Sequence, residues 1–486
     1  MENNQLIRES VINLIYKNLP EKIFDIKMLP ASGSSRVYFR IFSELRTYIA
    51  TYNTNIEENK AFFSFSKHFK DTGLPVPELI AISDDSRCYI QSDLGDTCLF
   101  DYVKECLKNQ HFDDKTINLY KQSLDNLVDF QIKGNNNLDY STAYPTPSFD
   151  KCSIIDDLNY FKYYFLKINE EIDFNETRLN NDFQRLADYA MKAPSDFFMY
   201  RDFQSRNIII NNGLTYYIDY QGGRKGPLQY DVVSLLYQVK AQLSTELKNE
   251  LLQYYKDKLS HYINLEDIGF DKYYNVFVLL RLLQVLGAYG FRGIIQKKQH
   301  FLESIPYALN ELIAIKDILN LPFEMKELSN VLNQMECLLM KYKHIENDKL
   351  TVVVNSFSYK NGGIPEDRSG NGGGFVFDCR ALPNPGRYDQ YKKLTGEDVE
   401  VQDFLNGKDE VESFFKTVKI IVFQSVDNYI ERDFRNLFVN FGCTGGQHRS
   451  VFFAKKMAES LHETYPQIRV VLNHLVQHKN YVYETV

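Results

Sequence analysis

The first hundred residues alternate apolar and polar positions in short runs. An amphipathic helix is predicted over about 5–18, then strand-like segments at 23–30, 36–42 and 46–52. A helical stretch follows at 56–71; after Pro75 and Pro77, strands are predicted near 79–82 and 87–91. One helix among several strands is the pattern of a small α+β lobe. Beyond Asp93-Leu94-Gly95 the period lengthens. Apolar positions near 117–130, 231–243, 273–291 and 305–319 recur at three- and four-residue spacing, and 324–345 predicts one last helix that charged IENDK ends. A domain boundary is placed near 348. From Thr351 the pattern changes again, to a strand (351–357), a Gly-rich stretch (362–374), a short strand (375–378), a strand at 435–441 and a helix from about 450 to 463. Strand and helix alternating there predict an α/β layer fold.

Composition narrows the picture. At 486 residues the chain exceeds what one core usually supports. Apolar residues make up 44% and charged residues 25%, an ordinary soluble balance; the 34 Tyr and 35 Phe suggest no function by themselves. Basic and acidic residues sum to 56 − 64 = −8, without a Lys/Arg block, which speaks against a chain that lives by holding nucleic-acid phosphates. Seven Cys are scattered and never form a CxxC pair, as expected of free thiols in a reducing compartment. No apolar run of about 18 residues and no signal-peptide pattern in MENNQLIRES predict a cytoplasmic protein.

The chemistry concentrates in 198–236, FMYRDFQSRNIIINNGLTYYIDYQGGRKGPLQYDVVSLL. Ile208–Ile210 and Tyr216–Ile218 are predicted strands, and Asn212-Gly213 between them is a two-residue hairpin signal. Such a loop pairs residues whose numbers sum to 425, so Asn207 faces Ile218 and Asp219 lies just beyond. An amide oxygen and a carboxylate thus reach one open end, with Asp202 five residues upstream of Asn207. Phosphoryl transfer needs such a set: a carboxylate for the attacking hydroxyl and two hard oxygen donors for magnesium. Alone, D-x4-N would more often cap turns; joined to the hairpin, it points to a kinase.

Tyr200-Arg201-Asp202-x4-Asn207 followed by Ile218-Asp219 resembles the aminoglycoside-phosphotransferase/choline-kinase family, which has an α+β bilobal protein-kinase-like fold. The wording is closer still to its bacterial N-acetylmuramate/N-acetylglucosamine anomeric kinase branch: YRDFQSRN, IDYQGG and RKGPLQYDVVSLL here stand beside HRDxHSRN, IDFQDA and RGPxxYDLVSLL there. Asp93-Leu94-Gly95 and Arg281–Gly287 are further echoes, over about 20–330. The resemblance implies a kinase domain over 1–347 (N-lobe about 20–93, C-lobe about 96–347) that uses ATP or GTP and Mg2+. Asp202 would be the catalytic base, Asn207 and Asp219 the metal ligands, and Ser32, Gly33, Ser34, Ser35, Arg36 and Asp93 nucleotide contacts. On residue pattern alone, 32–36 is a plain turn. Asp231 would buttress the catalytic loop. Arg206 and Arg224 are candidate substrate or phosphate contacts, or simply ion-pair arginines. Three departures stand out. Tyr200 replaces the His of the loop, Gly222-Gly223 replace Asp-Ala, and the third strand (Tyr48–Tyr52) has no lysine, which leaves Arg36 or Arg40 to supply the phosphate cation.

Arg435–Phe441 as a strand, Gly442–Arg449 (GCTGGQHR) as a loop and Ser450 as a helix cap make an anion-binding design, because backbone N–H groups and the helix dipole converge there. A bare turn is the plain alternative. Cys443-x5-Arg449 also has the spacing of cysteine-dependent phosphatases, although Gly442 stands where those carry His. GCTGGQHRSV, with FDCRALPNP (377–385) and Leu394-Thr395-Gly396, resembles the C-terminal domain of RapZ, the bacterial RNase adaptor, over nearly all of 351–477. That resemblance implies a smaller α/β domain over 350–486. It would bind an aminosugar phosphate through Cys443, Thr444, Gly445, Gly446, His448, Arg449 and Ser450, and RNA as a further partner. No GxxxxGK[ST] loop occurs and the basic tail is missing, which weakens the RNA expectation. The expected whole is a small-molecule kinase acting on an aminosugar, regulated by its second domain. The alternatives are an RNA-binding adaptor on a kinase-like scaffold, or a kinase for an aminoglycoside or choline-type acceptor.

Overall fold

The computed structural model describes residues 2–30, 36–316, 319, 321–343, 350–365, 374–432 and 434–483. Two compact units form, one from 1–290 with 304–339 and one from 291–303 with 340–486.

The first unit opens with α1 (Glu2–Asn18), β1 (Ile23–Met28), β2 (Val37–Ser43), β3 (Thr47–Tyr52), α2 (Ile56–Asp71), β4 (Leu79–Ile82) and β5 (Cys88–Ser92). The strands form one antiparallel sheet in the order β1-β2-β3-β5-β4. Alternation sorts its faces. Phe39, Ile41, Tyr48, Ala50 and Ile90 pack beneath Val11, Leu14 and Ile15 of α1. Tyr38, Arg40, Thr51 and Tyr89 are left to the opposite face.

The helical lobe contains α3 (Leu99–Lys108), α4 (Asp114–Ile132), α5 (Lys151–Tyr164), α6 (Glu176–Ala190), α7 (Leu228–Leu236), α8 (Thr245–Ser260) and α9 (Phe270–Tyr289). α9 is apolar enough to cross a membrane by length and composition, but it is a core helix packed by α5 and α7. Short strands flank the candidate site residues: β6 (Phe197–Met199) pairs with β9 (Arg224–Gly226), and β7 (Ile208–Asn211) with β8 (Leu214–Tyr217). An aromatic cluster joins the lobes. Phe62 stacks on Tyr220 at 5.3 Å, and Phe69 meets Phe130, Phe198 and Tyr220 edge-on at 5.0–5.4 Å. Rings in such geometry add about 0.5–1.5 kcal/mol each beyond their burial.

After the short helix α10 (Gln299–Leu302) comes α11 (Ile305–Lys316). The single helix expected over 324–345 is two, α12 (Lys326–Asn333) and α13 (Met335–Lys343). The break falls at Gln334, whose side chain accepts from Asp173 N and donates to Asp173 O, at 2.9 and 2.8 Å. A long-range tie therefore overrides a continuous period.

The second unit builds a sheet from β10 (Thr351–Ser358), β11 (Phe375–Asp378), β12 (Asn436–Cys443), β13 (Arg469–His474) and β14 (Lys479–Tyr483), in the order β11-β12-β10-β13-β14. Only β14 runs antiparallel. Val352, Val354, Val439, Phe441, Val470 and Leu472 share a core with α14 (Val399–Asn406), α15 (Asp409–Glu431) and α16 (Arg449–Thr464). At one level on the other face stands an asparagine ladder. Asn480 donates to Asn473 (2.5 Å), Asn473 to Asn355 (2.9 Å), Asn355 to Asn440 (2.7 Å), and Asn440 to the Phe375 carbonyl (3.1 Å).

Asn355→Ala orphans a carbonyl oxygen of Asn440 and an amide of Asn473. Each buried polar group left unpaired costs about 1–3 kcal/mol, so the variant should destabilise the second domain by about 2–6 kcal/mol, read as a lower denaturant midpoint. A midpoint equal to wild type would show that the ladder carries no stability.

Candidate active site

The hairpin forms with the expected register: Ile208 pairs with Tyr217 and Asn211 with Leu214. The Ile218 amide continues the ladder by donating to Asn207 O at 3.1 Å. Asn207 Nδ2 donates to Asp202 O (2.9 Å) and lies 3.5 Å from Asp219 Oδ2, so the three predicted residues meet at one end of the ribbon. With Nδ2 held, the amide oxygen of Asn207 is the atom left for a cation. The hairpin is itself anchored to the lobe junction, since Asn211 Nδ2 donates to Leu94 O (3.2 Å) and Ile210 N to Thr97 O (2.8 Å).

Two non-glycine residues here take left-handed backbone, Arg201 (φ 78°) and Asp219 (φ 70°). Such strain costs of order 1–3 kcal/mol and persists only where the surroundings over-determine it. They do. Fully buried Asp231, at the start of α7, accepts from the amides of Tyr200 (2.6 Å) and Arg201 (2.9 Å), the buttress expected of it. Burial pushes its carboxyl up to about 7, against the lowering by those two amides. Tyr200 is buried and donates its hydroxyl to Ile218 O at 2.6 Å, tying the 200–207 loop to the residue before Asp219. Arg201 Nη2 donates to both carboxylate oxygens of Asp157 (2.8 Å each) and Nη1 to Tyr230 OH at 2.7 Å.

Asp202 stays half exposed, 3.7 Å from buried Arg281. Asp219 Oδ1 accepts from Arg36 (3.0 Å) and Gln221 (2.6 Å). The other Arg36 nitrogen donates to Glu58 on α2 at 2.5 Å. Burial disfavours the Arg36 charge, yet Tyr38, Asp219, Tyr89 and Glu58 around it raise its pKa on balance. Arg40 is held by Asp93 and Asp96. Asp93, expected to touch nucleotide, has its buried carboxylate engaged by Arg40 and by the Gly95 amide (2.9 Å). Ser32, Gly33, Ser34 and Ser35 lie outside the described residues. Arg206 is exposed. Arg224 is 7% exposed and, among the described residues, donates to neutral groups, Gly222 O and Thr146 Oγ1, both at 3.1 Å. Burial, then Arg201, bring its pKa down to about 10. Glu58, Asp157, Gln221, Tyr230 and Arg281 are members of the site that the sequence reading assigned no role.

Among the described residues no group of three His, Cys, Asp or Glu side chains could hold a metal. Magnesium needs fewer protein donors, because it keeps waters and nucleotide phosphates in its shell. The adjacent Asn207 and Asp219 oxygens fit that demand.

The glycine loop of the second unit is built differently from expectation. α16 starts at Arg449 with His448 as the N-cap residue, and no side-chain cap bond forms. Ser450, expected as the cap, lies inside the helix with its hydroxyl 3.1 Å from Cys443 Sγ, which also accepts from Gly446 N at 3.2 Å. Arg449 Nη1 donates to the carbonyls of Cys379, Arg380 and Leu382 (2.8–3.2 Å), while its Nε is buried without a hydrogen-bond partner among the described residues. His448 Nε2 meets Tyr391 O at 2.9 Å. Thr444 and Gly445 are exposed; Gly446 has φ +67°, and an added Cβ would fall 2.5 Å from Val476. With its Nη1 turned to the 379–382 turn and its thiol buried, this loop lacks the open thiolate–arginine pair of a cysteine phosphatase.

An antiparallel five-stranded lobe on a helical one, with a D-x4-N loop and a hairpin aspartate between, defines a bilobal protein-kinase-like phosphotransferase. Comparison with known proteins agrees. The family model described as "Phosphotransferase enzyme family" matches residues 25–263, and that described as "RapZ C-terminal domain" matches 350–478. The first unit therefore carries a domain of the phosphotransferase enzyme family and the second a RapZ C-terminal domain. Curated relatives include a "Nucleotide-binding protein" of Dinoroseobacter shibae, 40% identical over 113 residues (23% of this chain, 36% of the relative). Another, from Fusobacterium nucleatum, is 32% identical over 203 residues (40% of this chain, 66% of the relative). The chain thus spans under two thirds of the length of these relatives. Among solved structures, choline kinase from Cryptosporidium parvum has TM-score 0.45 and 13% identity, covering 67% of this chain and 99% of its own. Aminoglycoside phosphotransferase APH(4)-Ia, as a thermostable mutant, has 0.42 and 16%, covering 63% and 97%.

Asp231→Ala orphans two amides and should cost about 2–6 kcal/mol at about 1–3 per group, read as a fall in the thermal midpoint of the first domain. Tyr200→Phe removes one hydrogen bond and should cost about 0.5–1.5 kcal/mol. Equal midpoints for both variants would remove Asp231 as the support of the loop.

Proposed function

We propose that the first domain transfers the γ-phosphoryl group of ATP (or GTP) to a hydroxyl of a small molecule, with the anomeric hydroxyl of an N-acetylated aminosugar as acceptor. The observation that carries this reading is the meeting of Asp202, Asn207 and Asp219 at the open end of the hairpin. Asp202, half exposed and held near Arg281, accepts the proton of the attacking hydroxyl. Asn207 and Asp219 would hold Mg2+, which when bound screens the charge of the phosphates. Arg224, a buried cation with neutral partners, and Arg206 orient the acceptor; Ser32–Arg36 cover the phosphates. Domain limits of 1–347 and 350–486 and a cytoplasmic location go with this reading.

For the second domain the proposal is an aminosugar-phosphate sensor that regulates the first. Support comes from the glycine loop leading into the 16-residue α16, whose N-terminus favours an anion, and from the buried, unpartnered Nε of Arg449 beside it. Cys443, Thr444, Gly445, Gly446, His448, Arg449 and Ser450 form or frame that site.

A phosphate-transfer assay with a panel of aminosugars tests the first part. Asp202→Ala should lower turnover by at least about a hundredfold, the ordinary worth of a general base, with nucleotide binding kept; unchanged turnover ends the base assignment. For the second part, calorimetry of the full chain with glucosamine 6-phosphate should show binding that Thr444→Val weakens about tenfold, the worth of one hydrogen bond to a charged group. Wild-type protein that releases no heat with the phosphosugar but binds structured RNA would replace the sensor by the adaptor reading.

A further inference from the structure

The third strand, Thr47–Tyr52, carries no lysine, so the cation that meets the nucleotide phosphates enters from elsewhere. Alternation restricts the choice. Phe39 and Ile41 are buried under α1, which puts Tyr38 and Arg40, and by continuation Arg36, on the other face of β2. Arg40 is committed to Asp93 and Asp96 at the lobe junction. Arg36, with its side chain 8% exposed, instead bridges Glu58 (2.5 Å) and Asp219 (3.0 Å), so it reaches the residue already assigned to the metal.

Resting on the phosphotransferase reading, we propose that Arg36 takes the part of the absent third-strand lysine, that Glu58 is its positioning residue, and that Arg36 occupies Asp219 until metal and nucleotide arrive together. Glu58 is prepared for this. Asn55 caps α2 by accepting from the Glu58 amide (3.2 Å), and Asn53 donates to Glu58 Oε2 (2.9 Å), so both carboxylate oxygens are engaged. α2 is in turn fixed to Tyr220, the neighbour of Asp219, through the Phe62 ring at 5.3 Å and the Ser66 hydroxyl at 2.6 Å. One set of contacts thus locates cation, counter-charge and metal ligand. The charge balance sets the order of loading. A bare divalent cation at Asp219 would sit beside a buried, obligate guanidinium and be repelled. A metal that brings phosphates supplies the anion to which Arg36 transfers. Metal and nucleotide should bind as a unit.

Calorimetry on the full chain tests this with AMP-PNP and Mg2+, and with adenosine as a phosphate-free comparison. Arg36→Met should weaken AMP-PNP at least about tenfold, one charge-assisted contact, and leave adenosine unchanged, with Arg36→Lys between. Glu58→Gln should weaken AMP-PNP in the wild-type background and add nothing in the Arg36→Met background. Mn2+ alone, followed by electron paramagnetic resonance, should bind Arg36→Met more tightly than wild type. A general loss of fold would weaken both ligands together, so the AMP-PNP-to-adenosine ratio decides even if stability falls. Arg36→Met binding AMP-PNP like wild type, or losing both ligands equally, overturns this proposal alone. Wild type that binds no nucleotide overturns the phosphotransferase reading with it.

Discussion

A two-residue turn, Asn212-Gly213, fixes which residues of β7 and β8 stand opposite, and the placement of the candidate site residues depends on that pairing. Asn207 and Ile218 close the open end, and Asp219 follows at once with a left-handed backbone. The surroundings are arranged to hold this one point. Tyr200 reaches across to Ile218 O, Asp231 gathers the amides of the loop, and Arg201 is pinned to Asp157 and Tyr230. The aromatic cluster from Phe62 to Tyr220 carries the constraint into the other lobe. Strain at Arg201 and Asp219 is tolerable because three independent ties oppose its release.

Local patterns made much of this legible in the sequence. The hairpin turn, the period-2 strands of the N-lobe and the D-x4-N loop lie within a few residues of what they position, so spacing alone identifies them. Arg36, the partner of Glu58, lies 183 residues from Asp219, and Asp157 lies 44 residues from Arg201. No local period marks such pairs; only the packing of α2 and α5 brings them in. Gln334 shows the reverse case, where a clean helical period from 324 onward is cut by a tie to Asp173. The apolar spacing of Val411, Phe415, Val418, Val422 and Val426 does encode α15, a helix that the sequence reading passed over for the glycine motifs on either side.

In the second domain the residue types were found and their directions were not. Ser450 has the composition of a cap, but the helix begins one residue earlier and the hydroxyl turns to the Cys443 thiol. Arg449 was expected to face an anion; its Nη1 instead satisfies three carbonyls of the 379–382 turn. A loop sequence specifies which groups are near a helix start, and long-range backbone acceptors decide where they aim. What the loop shows to solvent is mainly Thr444 and Gly445.

The asparagine row has a consequence for how this sheet is indexed. Parallel strands buried by valines and leucines can slide by two residues with little change in apolar contact. Amides cannot, because Asn473, Asn355 and Asn440 each receive from one side and give to the other, and a shifted strand would present them with hydrocarbon. The row behaves as a set of notches cut at one height. Since β10 ends at Ser358 opposite Cys443, where the glycine loop departs, the notches also set the height of that loop above the sheet.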